Sequence, residues 1–238
     1  MKQLRHIVSV LFLLVTVIAS AQERKVMNRP YIDMRQWHYG FLVGVHTQDL
    51  DLQNNGYIYN GVSGPELWSA QVASYTPGFS VGVLGELRLG EYTALRVIPT
   101  MHFGDHTVTF HEQLTGTEKT QVIKSTFLAV PFDFKLSAPR FNNYRPYVMA
   151  GIAPQVDLTV KKQKELLLDR SDLMLEVGMG MDLYYPYFKL IPELKFCFGL
   201  RNVLVRDRTD LTDATILKYT DSLNGASNSM IVLTLYFE

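Results

Sequence analysis

Between Leu173 and Arg201 the side chains alternate strictly between two kinds. From Leu173 to Leu183 the odd positions are all large and apolar, while the even positions hold Met174, Glu176, Gly178, Gly180 and Asp182. After Tyr184-Tyr185-Pro186-Tyr187 the pattern resumes with opposite parity. Phe188, Leu190, Pro192, Leu194, Phe196, Phe198 and Leu200 then share one face; Lys189, Ile191, Glu193, Lys195, Cys197, Gly199 and Arg201 share the other. A period of two is the signature of strands, here an antiparallel pair with one oily face. A soluble half-buried sheet also alternates, with its polar face in water. In this chain the apolar face is long and unbroken, and the other face mixes charge with glycine. That combination suits a strand with lipid outside and a polar lumen inside, which needs about 9–11 residues to cross a bilayer.

The chain opens differently. Lys2 and Arg5 precede an uncharged apolar run, Ile7 to Ala19, and Ala19-Ser20-Ala21 reads as a small-x-small cleavage site. Residues 1–21 are therefore expected to be a secretory signal peptide. No cysteine follows the apolar run, so no lipoprotein anchor is expected. Residues 22–34 lack alternation and are expected to form an exposed periplasmic lead-in. Residues 35–238 are expected to form one outer-membrane barrel. Loss of Lys2 and Arg5 leaves 21 basic residues against 23 acidic ones, a net of −2. Nothing in that balance favours nucleic acid. The lone Cys197 excludes an intrachain disulfide and a cysteine-based metal site.

The period of two recurs through the chain. Expected strands run over 35–46, 77–89, from Tyr92 past Phe103, 125–137, 146–160, 173–183, 188–201 and 229–237. Their outward residues include Trp37, Phe41 and Val45, then Phe79 and Val83, then Leu128, Phe132 and Phe134. The links alternate in length. Residues 47–76, 105–124, 161–172 and 202–228 are long; within 105–124, Thr115-Gly116-Thr117-Glu118 reads as a hairpin tip, which leaves open that the strands continue there past the membrane; Gly90-Glu91, Arg140–Asn143 and Tyr184–Tyr187 are short. Long outer loops, short periplasmic turns and an even strand count describe an eight-stranded, antiparallel, up-and-down outer-membrane β-barrel. Aromatic residues, among them Trp37, Tyr39, Tyr92, Tyr144, Tyr147, Tyr184, Tyr185, Tyr187, Phe188, Tyr236 and Phe237, map to the short-turn end as an interfacial girdle.

The inward charges nearly balance: Glu86, Asp133, Glu176, Asp182 and Glu193 against Arg88, Arg96, Lys135, Lys195 and Arg201. An eight-stranded barrel has an interior only wide enough for side chains. These ten are therefore expected to fill the lumen as a structural ion-paired network, since buried charges persist when paired. His102, Asp105, His106 and His111 are the only histidine-rich group, at a spacing that fits no metal motif. Gly61-Val62-Ser63-Gly64-Pro65 lacks the last glycine of a nucleophile elbow, and Gly178-Met179-Gly180 lacks the third glycine of a dinucleotide loop. No cofactor and no catalytic residue is expected. A lipid-modifying enzyme would need His46, Asp49, Asp51 and Ser63 to converge at the first long loop.

Several stretches, in order, resemble the PorT (SprT) family. They are Trp37-His38-Tyr39-Gly40-Phe41, Leu89-Gly90-Glu91-Tyr92 with Leu95-Arg96, Asn142-Asn143-Tyr144-Arg145-Pro146-Tyr147, Asp172-Leu173 through Glu176-Val177-Gly178-Met179-Gly180-Met181-Asp182, and Glu193-Leu194-Lys195-Phe196-Cys197-Phe198-Gly199-Leu200. The similarity spans most of the mature chain and is strongest from Phe79 to Asn202. It implies an integral outer-membrane barrel of Bacteroidota that serves type IX protein secretion and, in gliding relatives, motility. It implies no catalytic residues. The expected partners are outer-membrane lipid and other type IX secretion components. Two other readings stand beside it: a generic small barrel with a structural or narrow-channel role, and an outer-membrane lipid-modifying enzyme.

Overall fold

A computed structural model of the chain describes residues 27–61, 64–74, 77–160, 165–208 and 214–238. The expected leader, residues 1–21, lies outside them. The described residues form twelve strand segments in one antiparallel sheet. They are β1 (Trp37–Asn54), β2 (Ile58–Gly61), β3 (Gly64–Ser74), β4 (Pro77–Arg88), β5 (Thr93–Val97), β6 (Thr100–Glu112), β7 (Glu118–Ala129), β8 (Phe132–Ser137), β9 (Tyr144–Asp157), β10 (Ser171–Tyr184), β11 (Lys189–Gly199) and β12 (Leu223–Phe237). A short helix, α1 (Leu217–Asp221), precedes β12.

The segments make eight walls. β5 and β6 form one wall, broken between Val97 and Thr100; β7 and β8 form the next, broken between Ala129 and Phe132. Each break holds a proline, Pro99 or Pro131, which has no N–H to give to the ladder. Carbonyls at these breaks still accept bonds: Ile98 N–H reaches Pro131 O at 3.1 Å and Val83 N–H reaches Pro99 O at 3.0 Å. The order around the ring is β1, β4, β5/β6, β8/β7, β9, β10, β11, β12. Phe41 opposite Phe237 and Val45 opposite Leu233 close it. The result is an eight-stranded antiparallel up-and-down barrel, closed around its eight walls, with only the short β2 left as an edge among the described residues.

In the lower two thirds the outward residues are those that alternation predicts. Phe41, Val45, Phe79, Val83, Phe132, Phe134, Val148, Ile152, Val177, Met179, Ile231 and Leu233 are all exposed on the outer wall. A belt of exposed Trp37, Tyr39, Tyr92, Tyr144, Tyr185, Tyr187 and Phe188 rims the short-turn end. Tyr147, Tyr184 and Tyr236 are not part of it. All three are buried, with Tyr236 fully inside, because their parity points them into the barrel.

Higher up, the oily face changes sides. On β1 the outward residues become Thr47, Asp49 and Asp51, while the inward Leu50 is buried. On β6, Val108 and Phe110 point inward and are fully buried. They pack with Leu50, Trp68, Ala70, Leu166, Val203, Leu204, Leu223 and Ala226 into one apolar core. The Tyr219 ring of α1 lies 4.9 Å from Trp68 and 4.8 Å from Phe110. This part of the barrel stands in water and folds like a soluble β-domain, apolar in and polar out. It corrects the sequence reading of 47–76, 161–172 and 202–228 as polar loops. β1 runs on to Asn54, β2 and β3 lie within the first link, Leu166 belongs to the core, and β12 starts at Leu223.

The described part of the lead-in, residues 27–34, lies across the short-turn end, with Met27, Tyr31 and Met34 exposed and Ile32 buried. A 3₁₀ turn, Ile32–Met34, buries Ile32. Asn28 N–H donates to Asn143 Oδ1 at 2.8 Å, and Asn28 Nδ2 donates to Tyr184 O at 2.9 Å. The Tyr184 hydroxyl donates to Asp33 Oδ1 at 2.7 Å, and Arg140 reaches Asp33 at 3.2 Å and the carbonyl of Asn28.

Candidate functional site

The lumen is the most chemically loaded place in the molecule, and alternation puts it there. Every second residue of each wall points inward, so charges on β4, β5, β8, β10 and β11 meet on one axis. The centre is Arg96, on β5 and fully buried. Its Nε donates to Glu86 Oε2 at 2.7 Å and its Nη1 to Glu193 Oε2 at 2.6 Å. Lys135 Nζ lies 3.4 Å from the same Glu86 oxygen and 2.9 Å from Asp182 Oδ2. Glu193 also accepts from the Tyr147 hydroxyl at 2.5 Å and the Tyr236 hydroxyl at 2.7 Å. The Arg96 guanidinium stands 4.7 Å from the Tyr147 ring centre and 5.6 Å from that of Tyr236. Five charges and two phenols thus form one connected unit. Lys195 and Glu176 form a separate pair at 3.0 Å.

Of the ten predicted lumen residues, Glu86, Arg96, Lys135, Glu176, Asp182, Glu193 and Lys195 are buried and paired in this way. Asp133 is buried but has no hydrogen-bond partner on either oxygen among the described residues. Gly151 opposite makes the space for it, since a Cβ there would sit 2.2 Å from Asp133 Oδ1 and 2.3 Å from Phe132 O. Arg88 and Arg201 are outside the network. Arg88 sits at the short-turn rim and donates to the Gly90 carbonyl at 3.0 Å. Arg201 is exposed beyond the end of β11, 3.4 Å from Asp169. Both have inward parity in sequence, but each lies past the end of its strand's buried run. That boundary is not visible in a residue pattern.

The structure adds members that the sequence reading passed over. At the short-turn end Glu238 takes Lys189 and His38, the latter at 2.5 Å. Lys189 had the right parity; Glu238 is the last residue and belongs to no strand. Tyr147 and Tyr236, which their place at the short-turn end assigns to the girdle, belong to this interior as well. Farther up, His46 Nδ1 and His102 Nδ1 both lie 2.8 Å from the Ser80 hydroxyl. An apolar layer of Leu42, Leu84, Ile98, Met149 and Ile191 fills space beside the charges.

The arrangement is a packed, charge-filled interior. His46 and His102 point into it, whereas Asp49 and Asp51 lie on the outer face of β1. Ser63 lies outside the described residues. The histidine-rich group is also divided: His102 is buried in the lumen, while His111 is partly exposed and pairs with Glu118 at 3.1 Å. Among the described residues, no group of three or more His, Cys, Asp or Glu side chains is placed to hold a metal ion.

No curated protein matches the chain by sequence. Among solved structures, OprG from Pseudomonas aeruginosa aligns over 84% of this chain and 93% of its own, at 12% identity and a TM-score of 0.46. Neisserial surface protein A aligns over 85% and 98%, at 7% identity and a TM-score of 0.43. AlkL aligns over 92% and 94%, at 11% identity and a TM-score of 0.38. The sequence pattern that defines the outer membrane protein beta-barrel domain matches residues 20–205. The chain belongs to that family, and its place is the cell outer membrane.

Proposed function

We propose that this protein is a non-catalytic, non-conducting accessory component of type IX protein secretion, acting through its surfaces. The ordered resemblance to the PorT family supports the assignment to secretion. The observation that carries the non-conducting part is the filled lumen. Arg96 and its partners occupy the middle, an apolar core fills the outer end, and the lead-in covers the short-turn end. Cargo has no way through such an interior, because opening it would separate buried charges at a cost of several kcal/mol each. The surfaces left to act are the outer domain, the periplasmic cap and the lipid-facing wall. The partners are outer-membrane lipid and other type IX secretion components.

Two measurements test this together. Purified protein in a planar bilayer is expected to show no large, stable conductance. A deletion strain is expected to retain type IX cargo while other outer-membrane barrels still assemble. Stable channels would sink the accessory role, and normal cargo export in the deletion strain would leave a generic barrel.

A further inference from the structure

Residues 27–34 lead directly into β1, yet their side-chain partners lie across the ring. With β1 as the first of the eight walls, β8 and β9 belong to the fourth and fifth. Arg140 and Asn143 sit in the turn between those two, and β10, the next wall, ends at Tyr184. The segment therefore crosses the periplasmic mouth of the lumen. Its underside faces the interior: Asp33 shares a small cleft with His38, Glu86, Ser137, Asp182 and Lys189.

Most of the hold on the segment passes through one side chain. The Arg140 guanidinium donates to the carbonyls of Asn28 and Arg29, the latter at 3.3 Å, and to Asp33 Oδ2 at 3.2 Å. Its central carbon stands 3.5 Å from the centre of the Tyr184 ring, and the hydroxyl of that ring donates to Asp33 Oδ1 at 2.7 Å. The Asn142 carbonyl braces Arg140 Nε at 2.8 Å. Apolar burial contributes little, since Ile32 is buried but Met27, Tyr31 and Met34 are exposed. A unit held by polar bonds over so little apolar contact opens locally, at less cost than the whole fold. Arg29 adds strain. Its φ of 48° is a left-handed conformation that a non-glycine residue keeps only while its surroundings impose it.

We infer that residues 27–34 form a releasable strap over the periplasmic mouth of the lumen, with Arg140 as its catch. A guanidinium suits that part, because its planar fork of five N–H donors serves several acceptors at once while its face stacks on an aromatic ring. Release uncovers the lower lumen around His38, Ser137 and Lys189. The Arg96 network and the outer core stay filled, so the barrel remains closed to passage with the strap on or off. The strap is independent of the secretion assignment, and its failure would leave that assignment untouched.

The test uses the full mature chain folded in detergent micelles and a small water-soluble maleimide, with labelling followed by mass spectrometry. Ser137→Cys puts a thiol at the buried, lumen-facing end of β8, in the cleft beneath the strap. The native Cys197, buried farther up on β11, is the internal control. With Arg140 in place, labelling at position 137 is expected to be slow. Arg140→Gln should speed it by at least about tenfold, the rise in open population that loss of one charge-assisted hydrogen bond produces, while Cys197 stays protected. Arg140→Lys should resemble Arg140→Gln, because an ammonium cannot hold the same acceptors and stack as well. Asp33→Ala, on the strap itself, should act in the same direction and carries the test if Arg140→Gln does not fold. Fast labelling at position 137 with Arg140 intact, or a rate indifferent to Arg140→Gln and Asp33→Ala, would overturn the strap. Labelling of Cys197 that rises in step with position 137 would overturn it as well, since the whole barrel would then be loosening.

Discussion

Replacing Arg96 by methionine is the sharpest test of how the lumen is held together. The substitution keeps much of the volume and removes the one cation that touches both Glu86 and Glu193, at 2.7 and 2.6 Å. Glu86 retains Lys135 at 3.4 Å, and Glu193 retains two tyrosine hydroxyls. Neither is left bare, but Glu193 loses its only direct ion pair among the described residues. Breaking a buried pair from one side typically destabilises by about 3–5 kcal/mol, and the loss here should fall in that range. Arg201→Ala is the internal control: its pair with Asp169 is exposed and contributes at most about 1 kcal/mol. Adding Glu193→Leu to Arg96→Met should restore part of the loss, because both ends of the pair are then apolar. Equilibrium unfolding in urea from lipid vesicles, followed by heat-modifiable mobility, measures wild type, Arg96→Met, Glu193→Leu, the double variant and Arg201→Ala. Equal midpoints for Arg96→Met and Arg201→Ala, or strict additivity in the double variant, would refute the reasoning.

Further outcomes follow from single positions. Leu194→Arg places a charge on the lipid face and should cost about 2–4 kcal/mol near the midplane; wild-type stability would mean that the faces are misassigned. Ile191→Gln is not the mild inward change that parity alone suggests. Ile191 is fully buried in an apolar layer, so an unpaired amide there should cost about 1–3 kcal/mol in the same unfolding assay. Asp133→Asn removes an unpartnered buried charge and should leave the unfolding midpoint unchanged or higher, whereas a clear fall would reveal a partner for that carboxylate. At the β6–β7 hairpin, the Thr115 hydroxyl and amide and the amides of Leu67 and Leu114 hold the Glu112 carboxyl below its ordinary range. A lowered value in the folded state means that the order it supports is complete above about pH 4.3, the unfolded value, and is lost as pH falls through the depressed one. Hydrogen exchange at Leu114 and Thr115 should lose protection over that acidic window; protection that persists through it would remove Glu112 from the account.

The membrane-embedded part of the fold was legible because lipid imposes one rule on every outward position. Phe41, Val83, Phe134 and Val177 obey it, and so the strand count and the wall order can be read off. The same rule hid the outer third. A search for outward apolar residues passes over Leu50 and Trp68, whose parity is inward, and reports a loop, whereas the hairpin tip at Thr115–Glu118 leaves room for the strands that carry Val108 and Phe110. The site was legible in kind, since inward parity marked Glu86, Arg96 and Glu193. It was not legible in extent. Whether Arg88 or Arg201 reaches the interior depends on where each strand leaves the bilayer. Whether Tyr147 and Tyr236 belong to the girdle or to Glu193 depends on one residue of parity at a strand end.

The switch of the oily face along a single strand bears on assembly. Leu50, Trp68, Val108 and Phe110 can form their core only after they have crossed the bilayer. Insertion and outer-domain folding are then coupled through continuous hydrogen-bond ladders such as β1 with β12, which keeps one register from Phe41 to Gln53. The finished outer domain acts as a rivet head. Withdrawing the barrel toward the periplasm would require that core to melt and its polar exterior, Asp49 and Asp51 included, to re-enter hydrocarbon. Residence in the membrane is thereby secured by a barrier to leaving as well as by lipid contact.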